Sequence, residues 1–226
     1  MTSEELYLEC KILLNKNGKN TNIDIPKANF VILFNREQER WLYQSINKKK
    51  DSNDIHDIQK AMVYDLPIVL NKSFSNYNTY DLPKDLFKFL TIKVNVNKES
   101  CTKFINARPV KIKYINELLI DEFNKPSLEW EETIFTLGDS QIQIYFTDFQ
   151  IKDVLITYYK KLKEIDLIGY IKLDKSISTN QDSELDSVYL RQILDRVVKE
   201  VNREFENPEG FQYSLERVST EEQEKY

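Results

Sequence analysis

The spacing of apolar residues changes twice along this chain of 226 residues, and that change limits the possible folds more than any other feature. Residues 1–62 carry apolar side chains three or four positions apart, which predicts a bundle of helices. Residues 63–180 contain segments that alternate polar and apolar side chains, which is typical of strands that bury one face. A helical spacing returns over 181–206, before a polar C-terminal tail at 207–226. We therefore expect an α+β protein with an N-terminal helical bundle, an antiparallel, sandwich-like sheet domain and a long C-terminal helix packed on the core.

Capping and turn residues place the ends of the helices. Ser3 is a candidate N-cap for the first helix, and Pro26 marks the start of the second. Ser183 and Asp186 have the spacing of a capping box, which predicts the start of the last helix. The predicted helices cover residues 3–15, 27–46, 53–62 and 182–205. The predicted buried stripe of the last helix consists of Leu185, Val188, Tyr189, Ile193, Val197, Val201 and Phe205.

Alternation predicts the strands of the sheet. Between Phe89 and Val96 the apolar side chains of Leu90, Ile92, Val94 and Val96 fall on one face, which we expect to be buried. Gly138 suits the first central position of a two-residue type II′ turn. Residues 127–160 are therefore expected to form a three-stranded antiparallel meander around it. The other predicted elements are an edge strand interrupted by proline at 63–70, a strand at 100–110 and a helix at 111–123.

The scarcity of glycine, histidine and cysteine argues against the common enzyme classes. The four glycines all stand alone, so the chain has no clustered-glycine loop that could bring backbone N–H groups to a phosphate. The one histidine, His56, is interpreted as an exposed residue of a short helix rather than as the base of a catalytic triad. Cys10 and Cys101 are expected to be reduced thiols, and with His56 they supply fewer than the four ligands of a structural zinc site. We expect no catalytic activity, no cofactor and no bound metal.

The charge distribution argues against a protein that grips nucleic acid. The net charge is −5, and the lysines and arginines are spread along the chain instead of forming a basic stripe. The exception is the run Lys48–Lys50, which precedes acidic residues and is interpreted as a solvated loop between helices. The first residues lack the basic start and the apolar run of a signal peptide, and no segment approaches the roughly 20 apolar residues of a membrane span. We therefore expect no contact with a membrane and no specific binding of DNA.

Two glutamates beside a tryptophan are the only residues that suggest hydrolysis. Glu129 and Glu131 flank Trp130, and a pair of carboxylates near an aromatic ring can serve as acid and nucleophile in a glycosidase. On a strand, however, the two glutamates would share one face while Trp130 points to the other. The favoured interpretation is a buried tryptophan opposite a solvated acidic face.

Aromatic and basic residues supply the candidates for a subunit interface. Tyr158 and Tyr159 are neighbours on a predicted strand, so one is expected in the core and the other at a subunit boundary. Tyr77 and Tyr80 belong, with Phe74, to a polar loop, where exposed aromatic rings indicate a partner surface or, equally well, anchoring of the loop on its own sheet. The candidate interface residues are Tyr77, Tyr80, Tyr158, Tyr159, Lys160, Lys161, Phe211 and Tyr213.

Four segments form a recognisable series: Asp121–Pro126 with Trp130 following, Val154–Asp166, Gly169-Tyr170, and Asp182–Leu185. In this series a strand that ends in tyrosine and basic residues is followed by a loop and then by a helix that begins near Asp-x-Glu-Leu. The chain thereby resembles the head-to-tail connector proteins, also called ring or adaptor proteins, of bacteriophages with short tails. It looks closest to the ring proteins of crAss-like phages and is more distantly similar to the tail tubular protein A type of adaptor.

The resemblance implies a structural role in the virion. Connector proteins of this family combine a helical bundle with a sandwich-like sheet domain and form a cyclic ring of twelve copies below the portal. The ring extends the DNA channel, through which DNA passes without specific binding, and offers a surface to the next tail or ring protein. The implied partners are therefore further copies of the chain, the portal protein and other tail proteins. The implied location is the head–tail interface of a virion assembled in the bacterial cytoplasm.

Two other functions fit the sequence. One is a phage-encoded binding or assembly factor that does not enter the virion and would be monomeric or dimeric. The other is a small hydrolase that uses Glu129 or Glu131, which would need a pocket that shifts the pKa of one of these carboxyl groups.

Overall fold

The structure is a computed structural model that describes residues 1–16, 23–47, 59–99 and 101–204, and these residues form four α-helices and one curled, eight-stranded sheet. The expected α+β fold class is confirmed. The chain divides into a helical unit, residues 1–60 and 162–226, and a sheet unit, residues 61–161. The helices are α1 (Ser3–Asn15), α2 (Lys27–Asn47), α3 (Ile115–Ile120) and α4 (Ser187–Glu204).

The segment 162–180, which the sequence pattern assigned to the sheet domain, belongs to the helical unit. Hydrogen bonds to α2 hold its first residues there. Asn35 donates its side-chain amide to the carbonyl of Ile165 at 3.1 Å, and its side-chain oxygen accepts the N–H of Ile165 at 2.8 Å. Gln38 donates to the carbonyl of Lys163 at 2.9 Å.

The cap of α1 lies one residue before the predicted one. Thr2 accepts the backbone N–H of Glu5 at 3.2 Å, and the Glu5 carboxylate accepts the N–H of Thr2 at 2.8 Å, which completes a capping box. Ser3 was the predicted cap, but its hydroxyl donates to the carbonyl of Gln181 at 2.6 Å instead. A tertiary contact has therefore taken the side chain that the local pattern assigned to the cap.

The last helix begins at Ser187, not at Asp182 as the apparent capping box predicted. The hydroxyl of Ser183 accepts the N–H of Leu185 at 3.3 Å and donates to Gln38 at 2.9 Å, so it does not cap α4. The predicted stripe is correct in its central part, but Val188 is 62% exposed and Phe205 lies outside the described residues. The buried apolar residues of α4 are Leu190, Ile193, Leu194, Val197, Val198 and Val201, and they pack against α1 and α2.

The sheet has the strand order β1-β8-β4-β5-β6-β7-β3-β2. Neighbouring strands are antiparallel except β5 and β6, which are parallel and are joined by a crossover that contains α3. The proline-containing strand β1 lies at one edge of the sheet, as predicted. The strands are β1 (Met62–Pro67), β2 (Leu70–Ser73), β3 (Tyr77–Asp81), β4 (Leu86–Lys98), β5 (Cys101–Pro109), β6 (Glu132–Leu137), β7 (Gln141–Tyr145) and β8 (Gln150–Lys160).

The predicted meander is half correct. Strands β6 and β7 form the expected hairpin, closed by a hydrogen bond from the Gly138 N–H to the Gln141 carbonyl at 2.8 Å. The turn is displaced by one residue, and Gly138 is not in the left-handed region that a type II′ turn requires at its first central position. Strand β8 does not pair with β7; it lies between β1 and β4 and pairs with β4 from Gln150 to Lys160. A position between two strands satisfies the backbone groups on both edges of this long strand. As the last strand of a meander, β8 would have one unpaired edge.

A bulge in β4 moves Leu90 out of the core. The register with β8 shifts between Phe89 and Thr91, and the extra residue reverses the alternation of side chains at that point. Leu90 is consequently 40% exposed, whereas Ile92, Val94 and Val96 are fully buried as predicted. Phe89 packs against the core in place of Leu90.

Several other local predictions are corrected. Met62 is the first residue of a strand rather than the last of a helix, and residues 53–58, including His56, lie outside the described residues. The helix predicted at 111–123 is a short 3₁₀ turn followed by α3, and Phe123 beyond it is 81% exposed. The strand predicted from Ser127 starts at Glu132, because residues 128–131 form a turn.

The bulge in β4 gives a direct test of this core. We expect Ile92→Ala to lower the free energy of unfolding by about 2–5 kcal/mol, because it leaves a cavity in a closely packed region. Leu90→Ala, two residues away on the same strand, should change it by about 0.5 kcal/mol, the usual effect at a surface position. Urea unfolding followed by circular dichroism measures both values. Equal losses would show that β4 follows the plain alternation without the bulge.

Candidate functional site

Two of the predicted interface residues, Tyr80 and Tyr158, lie in the core of the sheet unit. Tyr158 is 2% exposed, and its O–H donates to the carboxylate of Asp85 at 2.9 Å. Burial and then this hydrogen bond raise the pKa of Tyr158 to about 12. Tyr80 is 3% exposed and belongs to the same core. Both rings are covered within a single chain and are not available to a neighbouring subunit.

Tyr77 is anchored on its own sheet. The segment predicted as a polar loop is the hairpin of β2 and β3, and Tyr77 is the first residue of β3. Its ring stacks on Phe74, with centroids 4.5 Å apart, and contacts Tyr145 at 5.5 Å. Of the two interpretations of these aromatic rings, the contacts favour anchoring.

The remaining interface candidates lie at the end of β8 and in the tail. Tyr159 and Lys160 are half-buried and Lys161 is exposed. Burial and then the neighbouring Tyr64 raise the pKa of Tyr159. Phe211 and Tyr213 lie outside the described residues.

The residues that suggested a hydrolase lie on open surface. Trp130 is 61% exposed, so the expectation that it is buried is wrong. Glu129 and Glu131 are exposed at the turn before β6, and Glu131 forms an ion pair with Lys103 at 2.7 Å. A turn places all three residues on the surface because it lacks the strict alternation of a strand.

The feature that the sequence prediction missed is the apolar loop, which we define as residues 166–181. Two bridges of antiparallel type give it the form of a hairpin, one between Asp166 and Gln181 and one between Ile171 and Ile177. Lys175 turns the chain at its tip with a φ of 67°.

The apolar loop exposes aliphatic side chains at a level rare for folded proteins. Leu173 is 96% exposed, Ile177 80%, Ile171 74% and Ile168 53%. Folding normally removes such side chains from water, and a contiguous exposed group of them marks an interaction site.

The carboxylate of Asp166 anchors the base of the apolar loop. It is 4% exposed, and its carboxylate accepts hydrogen bonds from the N–H of Leu167 at 2.9 Å and the O–H of Tyr170 at 2.7 Å. Its other oxygen accepts the N–H of Thr179 at 2.9 Å and pairs with the ammonium of Lys172 at 2.7 Å. Both limbs of the loop are thus bound to one carboxylate.

The pKa values at this site follow from the same contacts. Burial alone would raise the pKa of the Asp166 carboxyl, but the hydrogen bonds from its four partners outweigh burial and hold that pKa well below its usual range. Burial and the hydrogen bond to Asp166 raise the pKa of Tyr170 to about 12. The hydrogen bond to Asp166 also raises the pKa of Lys172. The network therefore stays in one charge state across the neutral pH range.

Further hydrogen bonds tie the apolar loop to the helices of its unit. Lys27 of α2 donates to the carbonyl of Ile168 at 2.8 Å. Ser3 at the start of α1 donates its N–H to Asp182 at 2.7 Å, just beyond the end of the loop. Gly169 has a φ of 112°, which favours glycine, and its N–H donates to the hydroxyl of Ser178 at 3.1 Å. The loop is braced at its base and along its limbs, although several of its aliphatic side chains are exposed.

A groove of about 560 Å³ lies between α2 and the apolar loop. Val31 and Ile165 are buried in its lining, and Ile32 on the α2 side is 54% exposed. Glu164 and Asp174 add carboxylates to the lining. Ile171 and Leu173 of the apolar loop also line this groove, so the loop forms one of its walls.

The sequence holds a weak signal for the apolar loop. Ile168, Ile171, Leu173 and Ile177 occur within ten residues that also contain Gly169 and turn-forming polar residues. That pattern is too short for a helix and too interrupted for a core strand. Nothing in the local pattern shows that the side chains stay exposed, since this depends on the buried anchor at Asp166.

Comparison with known proteins assigns no relatives. No protein-family model matches this chain, and no curated protein matches it in sequence. Within the described ranges, no three acidic, histidine or cysteine side chains cluster closely enough to hold a metal ion. No helix in that part of the chain is long and apolar enough to cross a membrane. The thiols of Cys10 and Cys101 are free, and burial raises the pKa of Cys10 to about 12.

The bracing of the apolar loop can be tested by removing one charge. We expect Asp166→Asn to destabilise the loop by about 1–3 kcal/mol, because the amide cannot accept from all four donors and its NH₂ faces Lys172 or Thr179. Faster hydrogen exchange at the amides of Leu167 and Thr179 would report this change. Asp174→Asn is the matched control, since Asp174 is exposed and an asparagine oxygen can still accept from Ser176. Equal effects of the two variants would contradict the role of the buried carboxylate.

The same carboxylate predicts a pH dependence. The pKa of Asp166 is lower in the folded protein than its unfolded value of about 3.9, so its ionisation stabilises the folded state. This contribution is fully present above about pH 5 and is lost as the pH falls from the unfolded pKa through the lower folded pKa. The difference in unfolding free energy between wild type and Asp166→Asn should therefore shrink below pH 4. A difference that stays constant down to pH 2 would contradict the prediction.

Proposed function

We propose that this protein works by assembly rather than by catalysis, as a head-to-tail connector protein that forms a ring below the portal of a short-tailed phage. The observation that carries the proposal is the apolar loop, which hydrogen bonds brace and in which Leu173 is 96% exposed. Exposure of apolar side chains to water is unfavourable in free energy, and contact with another protein removes that penalty.

Burial of these side chains would supply part of the free energy of such a contact. Full burial of a leucine or isoleucine side chain contributes about 1.5–3 kcal/mol. The exposed apolar side chains of the loop therefore offer several kcal/mol toward association, before the entropic cost of binding is subtracted. Since Asp166 and its partners already order the loop, little further conformational entropy is lost when it docks.

The segments that resemble connector proteins support this assignment in a specific way. Asp166, Gly169 and Tyr170 occur in those segments, and the hydrogen bonds of these three residues brace the apolar loop. Asp182 occurs in the last of them and accepts the N–H of Ser3. The resembling residues thus maintain a docking surface, which is the role expected of residues shared among assembly proteins.

The charge of the chain suits the wall of a DNA channel. The net charge of −5 and the scattered basic residues offer no continuous site for phosphates. A wall of that kind lets DNA pass without holding it. The proposed partners are the portal protein on one side of the ring and a further ring or tail protein on the other, with the virion as the site of action.

Binding to the portal protein encoded in the same genome tests the proposal. We expect purified wild-type protein to form a ring-shaped complex with portal rings, visible by cryo-electron microscopy and native mass spectrometry. Leu173→Asp should weaken this assembly at least tenfold, because it places a charge where the contact is apolar. Val188→Asp is the matched control, since Val188 is also an exposed aliphatic residue of the helical unit. Protein that binds no portal ring, and is absent from purified particles, would overturn the proposal in favour of a factor that acts outside the virion.

A further inference from the structure

The packing of α2 against α4 gathers basic side chains that are far apart in the sequence. Arg196, Lys199 and Arg203 follow one another on α4 at spacings of three and four residues, so they share one face of that helix. Arg36 and Arg40 form a second row on α2. We define these five residues, which include four of the seven arginines in the chain, as the basic seam.

Contacts between the two helices join the two rows of the basic seam. Arg36 of α2 reaches the carboxylate of Glu200 on α4 at 3.5 Å, and Arg203 binds the same carboxylate at 2.5 Å. Arg196 of α4 donates to the side-chain oxygen of Gln44 on α2 at 2.6 Å. These contacts cross from one helix to the other, so the basic seam forms one surface of the helical unit.

The basic seam carries more positive than negative charge. Glu37 is 2% exposed and pairs with Arg40 at 2.8 Å and with Arg36 at 3.7 Å. Glu37 and Glu200 thus share their two carboxylates among the basic residues of the seam. Glu39 lies on the other flank of α2, in line with the residues of that helix that line the groove. A guanidinium group has five N–H donors, so arginines that share a carboxylate can still bind a further anion.

The segment that follows α4 in the sequence is acidic. Residues 205–226 contain six glutamates, one arginine and one lysine, and they begin two residues after Arg203. Even with Glu204, which ends α4, the basic seam keeps an excess of positive charge for this segment to meet. The segment can span roughly 70 Å when extended, against about 27 Å for the length of α4. It is therefore long enough to return along the whole seam, and its attachment to α4 raises the local concentration of its carboxylates there.

We infer that the acidic segment 205–226 docks on the basic seam of its own chain. Carboxylates bind guanidinium groups in a bidentate geometry, which makes an acidic peptide a suitable ligand for a row of arginines. A segment docked in this way would also separate these guanidinium groups from the phosphates of any DNA near the protein. The inference goes beyond the connector function and does not depend on it, because it needs only the charges of α2, α4 and the segment itself.

Zero-length cross-linking of the unaltered protein tests the contact. A carbodiimide joins an ammonium group to a carboxylate that touches it, and mass spectrometry identifies the joined peptides. We expect roughly tenfold more links from glutamates of the segment to Lys199 than to Lys175, an exposed lysine of the same unit. About 1 M salt should remove most of this excess, because it shortens the screening length to about 3 Å. Equal yields at the two lysines, or an excess that salt leaves unchanged, would overturn the inference.

A mixture of isotopically heavy and light protein identifies the chain that supplies the segment. Links within one chain join two heavy or two light peptides, whereas links between copies also join heavy with light. We expect links to Lys199 within one label only. Mixed links at the frequency of random pairing would show that the segment docks on a second copy, which would overturn the inference.

Two arginine variants provide a matched comparison. Arg203→Gln removes one charge from the basic seam but leaves Glu200 paired with Arg36, so we expect the fold to persist. It should lower the yield of links to Lys199 about threefold. Arg191→Gln is the control, since Arg191 lies on another face of α4 and pairs with Glu9 of α1 at 3.9 Å. Equal yields from the two variants, with urea unfolding showing both to be folded, would contradict a role for the seam.

Discussion

The buried carboxylate of Asp166 supports the apolar loop, whose aliphatic side chains are unusually exposed. A charge that is 4% exposed is tolerated only because donors from four residues surround it: the Leu167 amide, the Thr179 amide and hydroxyl, the Tyr170 hydroxyl and the Lys172 ammonium. These donors come from both limbs of the apolar loop, so satisfying the charge also fixes the loop.

The sheet unit achieves stability by different means. Its core is a continuous layer of aliphatic and aromatic side chains around β4 and β8, which pair along almost their whole length. Tyr158 of β8 is buried in this core, and its hydroxyl donates to Asp85. A bulge in β4 interrupts the pairing and turns Leu90 to the surface. The two tyrosines that local alternation marked as candidates for an interface, Tyr80 and Tyr158, are therefore core residues.

The apolar loop leaves aliphatic side chains exposed, and a partner protein that covered them would remove apolar surface from water. The connector function that we propose needs a surface of this type on each subunit. The net charge of −5 is compatible with a channel wall that does not hold DNA.

The sequence by itself determined the type of most elements, because hydrophobic period and turn residues act locally. It placed α1 and α2 within one residue of their ends, identified β4, β5 and the β6–β7 hairpin, and predicted the α+β class. Its errors lie where a tertiary contact competes with a local signal: Ser3 and Ser183 bind other segments instead of capping helices, and β8 pairs with β1 and β4 instead of joining the meander.

The sequence alone could not predict the candidate site, for the same reason. Of the predicted interface residues that the structure describes, the tyrosines are buried, stacked or half-buried, whereas Leu173 and Ile171 looked like ordinary members of a polar loop. Composition reveals that a side chain is apolar, but only the fold decides whether partners cover it. Here the tertiary structure decided that, because the contacts of Asp166 join residues up to 13 positions apart and fix both limbs of the loop.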